Sequence, residues 1–331
     1  MNPHSKPLMK TNSVAKFLAL LFLASAAGGA FAANLYPIVV KDRWGYIDKA
    51  GTVVVQPQFD RGDAFASGLA AVRLGGNWGY VDATGKLAIN PQFDAAGGFS
   101  EGAAAVKFGG RFGYVDAEGR YTINPQFDFA GPFANGRAAI KLKGRHGYID
   151  KGGVITISPQ FDDAATFAEG LAAVELGRRW GFIDLSGKIL INPQFEKVGG
   201  FSEGLAAVRL GGRWGFVDKA GKLLVNPQFD DVHDFAKGLA PARLGKLWGF
   251  VDPTGQLIIN PQFSDADAFT EDLARVKIAD RWGFIDKSGK YAINPQFDEA
   301  AAFVDGLARV KLARRTGYVD LTGKYVWNPA N

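Results

Sequence analysis

Residues 213–230 read RWGFVDKAGKLLVNPQFD, and close copies of this stretch recur along the whole chain at one constant interval. The glycine never changes: Gly45, Gly79, Gly113, Gly147, Gly181, Gly215, Gly249, Gly283 and Gly317 follow one another at steps of 34 residues. The residue before it is tryptophan in six copies, Trp44, Trp78, Trp180, Trp214, Trp248 and Trp282, and Phe112, His146 and Thr316 in the other three. A fixed period of about 20 to 50 residues marks an array in which one small unit stacks on the next. Every other local clue is read inside that frame.

The copy LAAVRLGGNWGYVDATGKLAINPQF, residues 69–93, predicts the unit. Leu69 to Leu74 alternates as a strand does. Gly75-Gly76 is a two-residue hairpin loop, because tight hairpins need positive φ. Trp78 to Asp82 is a second strand, and Asp82-Ala83-Thr84-Gly85 a turn with Asp and Gly where each is favoured. Lys86 to Asn90 is a third strand, which Pro91 is expected to end because proline cannot donate to a ladder. These loops set Arg73 across from Trp78, Val72 from Gly79, Asp82 from Lys86, Val81 from Leu87, Tyr80 from Ala88 and Gly79 from Ile89. One face then carries Ala70, Val72, Leu74, Gly79, Val81, Leu87 and Ile89, a core. The other carries Ala71, Arg73, Trp78, Tyr80, Asp82, Lys86 and Asn90. A slip of one residue would mix the two sets.

Residues 92–102 connect to the next copy, with a short helical turn as the candidate structure. The connector's two aromatics, from Phe59 with Phe65 to Phe297 with Phe303, are expected to plug the core where the strand glycine leaves room for a ring. Nine strand units run from about Tyr36 to Trp327. No single three-stranded unit can bury its apolar face alone, so stacking is obligatory. Propeller blades usually have four strands in about 40 to 45 residues, and rings often close by completing one blade from both termini. This chain begins and ends on a whole unit. The reading therefore favours an all-β, open, superhelical array, with a closed propeller-like ring as the alternative. Thr316 and the Asn328-Pro329-Ala330-Asn331 end fit a capping unit.

Residues 1–32 stand apart. Lys6, Lys10 and Lys16 precede an apolar run from Phe17 to about Ala27, and the small-residue pattern Ala30-Phe31-Ala32 closes it. That is the pattern of a secretory signal peptide cleaved after Ala32, leaving residues 33–331 as the repeat domain. The run is shorter than the ~20 residues of a spanning helix, so a periplasmic or secreted protein, not an integral membrane protein, is expected. The formal charge of +5 includes those three lysines, which leaves +2 for the exported chain. Nucleic acid, whose binding demands dense phosphate neutralisation, is not an expected partner. With zero cysteines there is no disulfide framework and no thiolate chemistry.

The recurring Trp-Gly, the Asp-x-x-Gly after it and the Pro-Gln-Phe-Asp close resemble the WG-repeat family of bacterial proteins, across residues 36–331. The resemblance implies a β-rich repeat with a binding or scaffolding role and no agreed catalytic residues. Phe112, His146 and Thr316 depart from the pattern at the tryptophan.

Chemistry is sparse. His146 and His233 lie at different positions of the repeat, and His146 reads as a substituted packing residue. No metalloprotease, phosphate-loop, nucleophile-elbow or nucleotide fingerprint is present. One column of aspartates runs from Asp48 and Asp82 to Asp320. A second runs Asp60, Asp94, Asp128, Asp162, Glu196, Asp230, Ser264 and Asp298. Turn and strand-end roles explain both; calcium needs several converging oxygens. No cofactor or metal is expected. Opposite the tryptophans runs a basic column, Arg73, Lys107, Lys141, Glu175, Arg209, Arg243, Lys277 and Lys311. The candidate ligand-binding residues are Arg73 with Trp78, Arg209 with Trp214, Arg243 with Trp248, and Lys277 with Trp282. Such rings and cations suit stacking on sugars or gripping an anionic polymer, although the aromatics equally suit a second core. The functional expectation is an exported, non-enzymatic scaffold binding a protein along an extended surface. A module for cell-envelope glycan or anionic polymer is the second reading, and an enzyme with its site at the centre of a closed ring the third.

Overall fold

The computed structural model describes residues 35–328, so the expected signal peptide lies outside the described residues. They form nine antiparallel sheets, one per repeat. In the second, the strands Leu69–Leu74, Asn77–Asp82 and Leu87–Phe93 are joined by a short edge strand, Arg61–Gly62, drawn from the preceding connector. The connector thus forms a fourth strand, where a helical turn was the candidate. The first sheet has the three strands Tyr36–Val40, Arg43–Ile47 and Val53–Phe59.

Local expectations hold at the first hairpin. Gly75 and Gly76 adopt φ of 61° and 91°, and Arg73 faces Trp78 with Val72 facing Gly79. At the next turn Gly85 N–H donates to Asp82 C=O at 3.0 Å, and the Asp82 carboxylate accepts from the N–H of Thr84 and Lys86. Val81 faces Leu87 as expected, but beyond that the register shifts twice, to Tyr80↔Ile89 and then Trp78↔Phe93. The third strand therefore runs through Pro91 to Phe93 instead of stopping at it. Proline is accommodated because the bulge leaves its position outside the ladder. This also corrects the role of the glycine. A Cβ on Gly79 would lie 2.5 Å from Ile89 O and 2.7 Å from Pro91 N. The space is filled by the bulged backbone, not by an aromatic ring.

The bulge moves Ile89 to the Tyr80 side, and both faces of the sheet become core. Ala70, Val72 and Val81 pack with Tyr46, Val55 and Phe59 of the preceding unit. Ala71, Tyr80, Ile89, Phe93 and Phe99 pack with Ala104, Val106 and Val115 of the following one. Phe93 and Phe99 do plug this core, Phe99 standing edge-on to Tyr80 at 4.9 Å. Each sheet is a blade between two others.

An open row of nine blades would have eight such interfaces, and the molecule has nine. Tyr36, Ile38 and Ile47 of the first blade pack against Leu307 and Tyr318 of the last. The expected open array is overturned: the fold is a closed, nine-bladed β-propeller. Closure needs no shared blade, because the seam is made by side-chain faces of the kind used between all other blades. Contacts repeat across it. Lys151 meets Glu101 at 3.2 Å and Lys219 meets Glu169 at 3.1 Å, while at the seam Lys49 meets Asp305 at 3.7 Å. The Tyr80 hydroxyl donates to Gly97 C=O at 2.7 Å in the next connector. At the seam the Tyr318 hydroxyl donates instead to Pro37 C=O of the first blade, also at 2.7 Å.

Candidate functional site

The predicted pairs lie where cross-strand register puts them: Arg73 opposite Trp78, Arg209 opposite Trp214, Arg243 opposite Trp248 and Lys277 opposite Trp282. The rings point into the inter-blade cores. Trp78, Trp214 and Trp282 pack against them partly buried, and Trp248 is 6% exposed. The cations are occupied locally. Arg209 donates to Gly212 C=O at 3.2 Å; Arg243 lies over Trp248 at 5.7 Å and meets Asp231 at 3.4 Å; Lys277 pairs with Asp280 at 3.4 Å. His146 fills its tryptophan slot as a buried ring, 6.1 Å from Phe129, and burial holds its pKa below the usual value.

Both acidic columns hold the backbone together. The hydroxyls of Thr84, Ser186, Thr254, Ser288 and Thr322 bond Asp82, Asp184, Asp252, Asp286 and Asp320, holding each carboxyl below its usual range. In the second column Asp60 pairs with Arg43 and accepts the Gly75 N–H at 3.0 Å, tying a third-strand end to the next hairpin loop. Asp128, Asp162, Asp230 and Asp298 take Arg111, Arg145, Arg213 and Arg281 in the same way.

A third ring of polar groups escaped the sequence reading. Glu101 accepts the Gly136 N–H at 3.1 Å, Glu169 that of Gly204 at 3.0 Å, Glu203 that of Gly238 at 2.9 Å and Glu271 that of Gly306 at 2.7 Å. Each carboxylate bonds the next blade's connector. Neighbouring blades approach most closely at the axis, so these contacts place the connector edge inward and the third strand outermost. The signal in the sequence is broken: Glu101-Gly102, Glu169-Gly170 and Glu203-Gly204 share one position of the repeat, but Asn135-Gly136, Lys237-Gly238 and Glu271-Asp272 interrupt it.

One inward acid is uncompensated. The Asp234 carboxylate lies over the neighbouring connector, where a Cβ on Gly199 would meet it at 2.5 Å. Burial pushes its pKa up to about 6, partly offset by His233. Because the folded value exceeds the unfolded one, the cost is present above pH ~6 and fades as pH falls towards the unfolded value of ~4. Asp234→Asn is expected to stabilise the ring by about 2 to 3 kcal/mol at pH 7.5, a difference that closes by pH 4. Thermal midpoints of both proteins across that range check it, and equal midpoints at pH 7.5 would refute it.

Eight consecutive stretches, the first at residues 44–78 and the last at 282–313, match the WG containing repeat. The chain belongs to the WG-repeat family. No curated protein matches it in sequence. Among solved structures it resembles a eukaryotic initiation factor, at 11% identity over 90% of this chain and 96% of that one, with a TM-score of 0.64. A likeness at that identity bears on the fold alone. It also resembles the dihydro-heme d1 dehydrogenase NirN in complex with DHE, at 12% identity over 93% and 75% of the two chains, with a TM-score of 0.49.

The outer strands of this WG-repeat ring are uneven. At one position they carry Leu190, Leu224 and Ile258 in three successive blades, 45%, 43% and 48% exposed. The equivalent residues are Ala88, Thr122, Thr156 and Ala292 in four other blades, and the shorter Val54, 39% exposed, and Val326 in the first and last. Ile155 and Ile189 extend the apolar band. The band is not a requirement of the repeat. Among the described residues no group of acids and histidines is arranged to hold a metal ion.

Proposed function

We propose that this WG-repeat propeller is an exported, non-enzymatic scaffold that binds a protein partner on its outer rim. The observation that carries the reading is the apolar band of Leu190, Leu224 and Ile258 on adjacent outer strands. The larger Leu and Ile side chains at this position fall in three successive blades, and exposed apolar surface gathered in one arc marks an interaction surface. Outer strands also present unpaired backbone to which a partner strand can add. Export rests on the leader, and the mature chain begins at Ala33. The non-enzymatic reading rests on the acids nearest the axis, which are spent on amides of the next blade.

The test is cross-linking of the exported protein in its native envelope, comparing wild type with a Leu190→Lys, Leu224→Lys, Ile258→Lys triple variant. The side chains are exposed, so the ring should keep its thermal midpoint while the cross-linked partner is lost. Unchanged cross-linking would sink the rim as the binding surface. Binding of anionic envelope polysaccharide that disappears with Arg209→Gln and Arg243→Gln would favour the glycan reading instead.

A further inference from the structure

The ninth blade departs from the repeat in two places at once. Thr316 stands where six units have tryptophan. Arg309 stands in a column that is alanine or proline from Ala71 to Pro241 and becomes arginine only at Arg275 and Arg309. Together they border a cleft of about 460 Å³ whose walls include Arg275, Trp282, Glu299, Arg309, Lys311 and Thr316. Its volume falls within the ~300 to 1,000 Å³ usual for ligand sites.

The charges of this cleft do not cancel. Arg275 donates to the Asp267 carboxylate and to Ala300 C=O, and it lies over the Trp282 ring at 4.6 Å. Lys311 pairs with Glu299 at 2.8 Å. Arg309 is exposed, its backbone carbonyl accepts from Ala301 N–H at 2.8 Å, and its guanidinium makes no hydrogen bond or ion pair among the described residues. It lies close enough to Tyr318 to pull that hydroxyl's pKa down against the effect of burial. Three cations thus meet two carboxylates, and the uncompensated one is a guanidinium at the cleft wall. A guanidinium fork matches a carboxylate with two parallel N–H···O bonds. A single negative charge balances the cleft, whereas a dianionic phosphate would leave an excess beside Glu299.

We infer that the ninth-blade cleft binds a carboxylate side chain of an acidic peptide, seated on Arg309 beside Trp282 in the space that a tryptophan at 316 would fill. The inference rests on the reading that the partner is a protein and names the chemistry of one contact. It makes the ring asymmetric in function, with one blade fixing the register of a partner along the rim.

The probe is blocked tetraglutamate, titrated calorimetrically into the mature protein at 20 mM salt, with tetraglutamine as the uncharged counterpart. Tetraglutamate should bind and tetraglutamine should not. Arg309→Gln, an exposed change, and Thr316→Trp, which restores the commoner residue of the repeat, should each weaken binding at least tenfold without lowering the thermal midpoint. Lys222→Gln removes a charge elsewhere and should leave the affinity as it was. Absence of binding to wild type, equal affinity in all the variants, or tighter binding of inorganic phosphate than of tetraglutamate would each overturn the assignment. None of these results bears on the rim scaffold, which is tested separately at Leu190, Leu224 and Ile258.

Discussion

Gly215→Ala is expected to cost more than about 4 kcal/mol, a size reserved for a few identifiable mechanisms. The mechanism here is a backbone collision. The added Cβ would lie 2.3 Å from Val225 O and 2.8 Å from both Asn226 C and Pro227 N. These atoms belong to the bulge that carries Pro227 outside the ladder, so they cannot yield without opening the third strand. Neighbouring blades would share the damage, because Val225 and Phe229 both belong to the core facing the next blade. The comparison is Gly212→Ala in the hairpin loop of the same blade. Gly212 has φ of 78° and nothing within 4 Å of an added Cβ, so its cost is only the left-handed penalty of ~1 to 2 kcal/mol. Urea midpoints of the two variants separate the mechanisms. Equal losses would mean that the WG glycine is kept for its dihedral angles, which the structure does not require.

That comparison also shows where the sequence was legible. Gly75-Gly76 and Asp82 to Gly85 carry their turn chemistry within four residues, and the first hairpin follows from them without reference to the rest of the chain. The bulge is different. It results from packing a proline-bearing strand beside a glycine, and two residues that never vary, 12 apart as Gly79 and Pro91 are, were its only trace. Reading Pro91 as a stop applied a local rule at a position where tertiary structure supplies an exception. The two-core blade followed from the same step, since Ile89 changes face only when the bulge is present. Closure was less legible still. It depends on a small rotation per blade accumulated over nine interfaces, and no residue encodes that rotation by itself. Tyr36 and Tyr318 complete the ring, yet each reads as an ordinary member of its own strand. The candidate basic and aromatic columns were legible as pairs, because cross-strand register is local. Whether the rings faced solvent or a neighbouring blade was not, for it turned on the same closure.

Tyr36→Ala at the seam is expected to weaken the ring by about 3 to 5 kcal/mol, the range for truncating a large buried aromatic. Tyr36 is 5% exposed, its ring stands edge-on to Tyr318 at 5.7 Å, and its hydroxyl donates to Asp305 C=O at 2.9 Å. The change thus removes packing, an aromatic pair and the partner of a carbonyl in one step. The seam should also be where the ring opens. Every other junction is crossed by a covalent connector, and this one is held by side chains such as Tyr36, Tyr318 and the Lys49–Asp305 pair. Loss of the seam should therefore show as shape before it shows as unfolding. Solution scattering of Tyr36→Ala under mild destabilisation should give a larger radius of gyration than wild type while strand content is retained. A double change with Tyr318→Ala should cost less than the two singles together, because both remove the same contact. If Tyr36→Ala keeps the wild-type radius and midpoint, the seam is not what holds the first blade to the last.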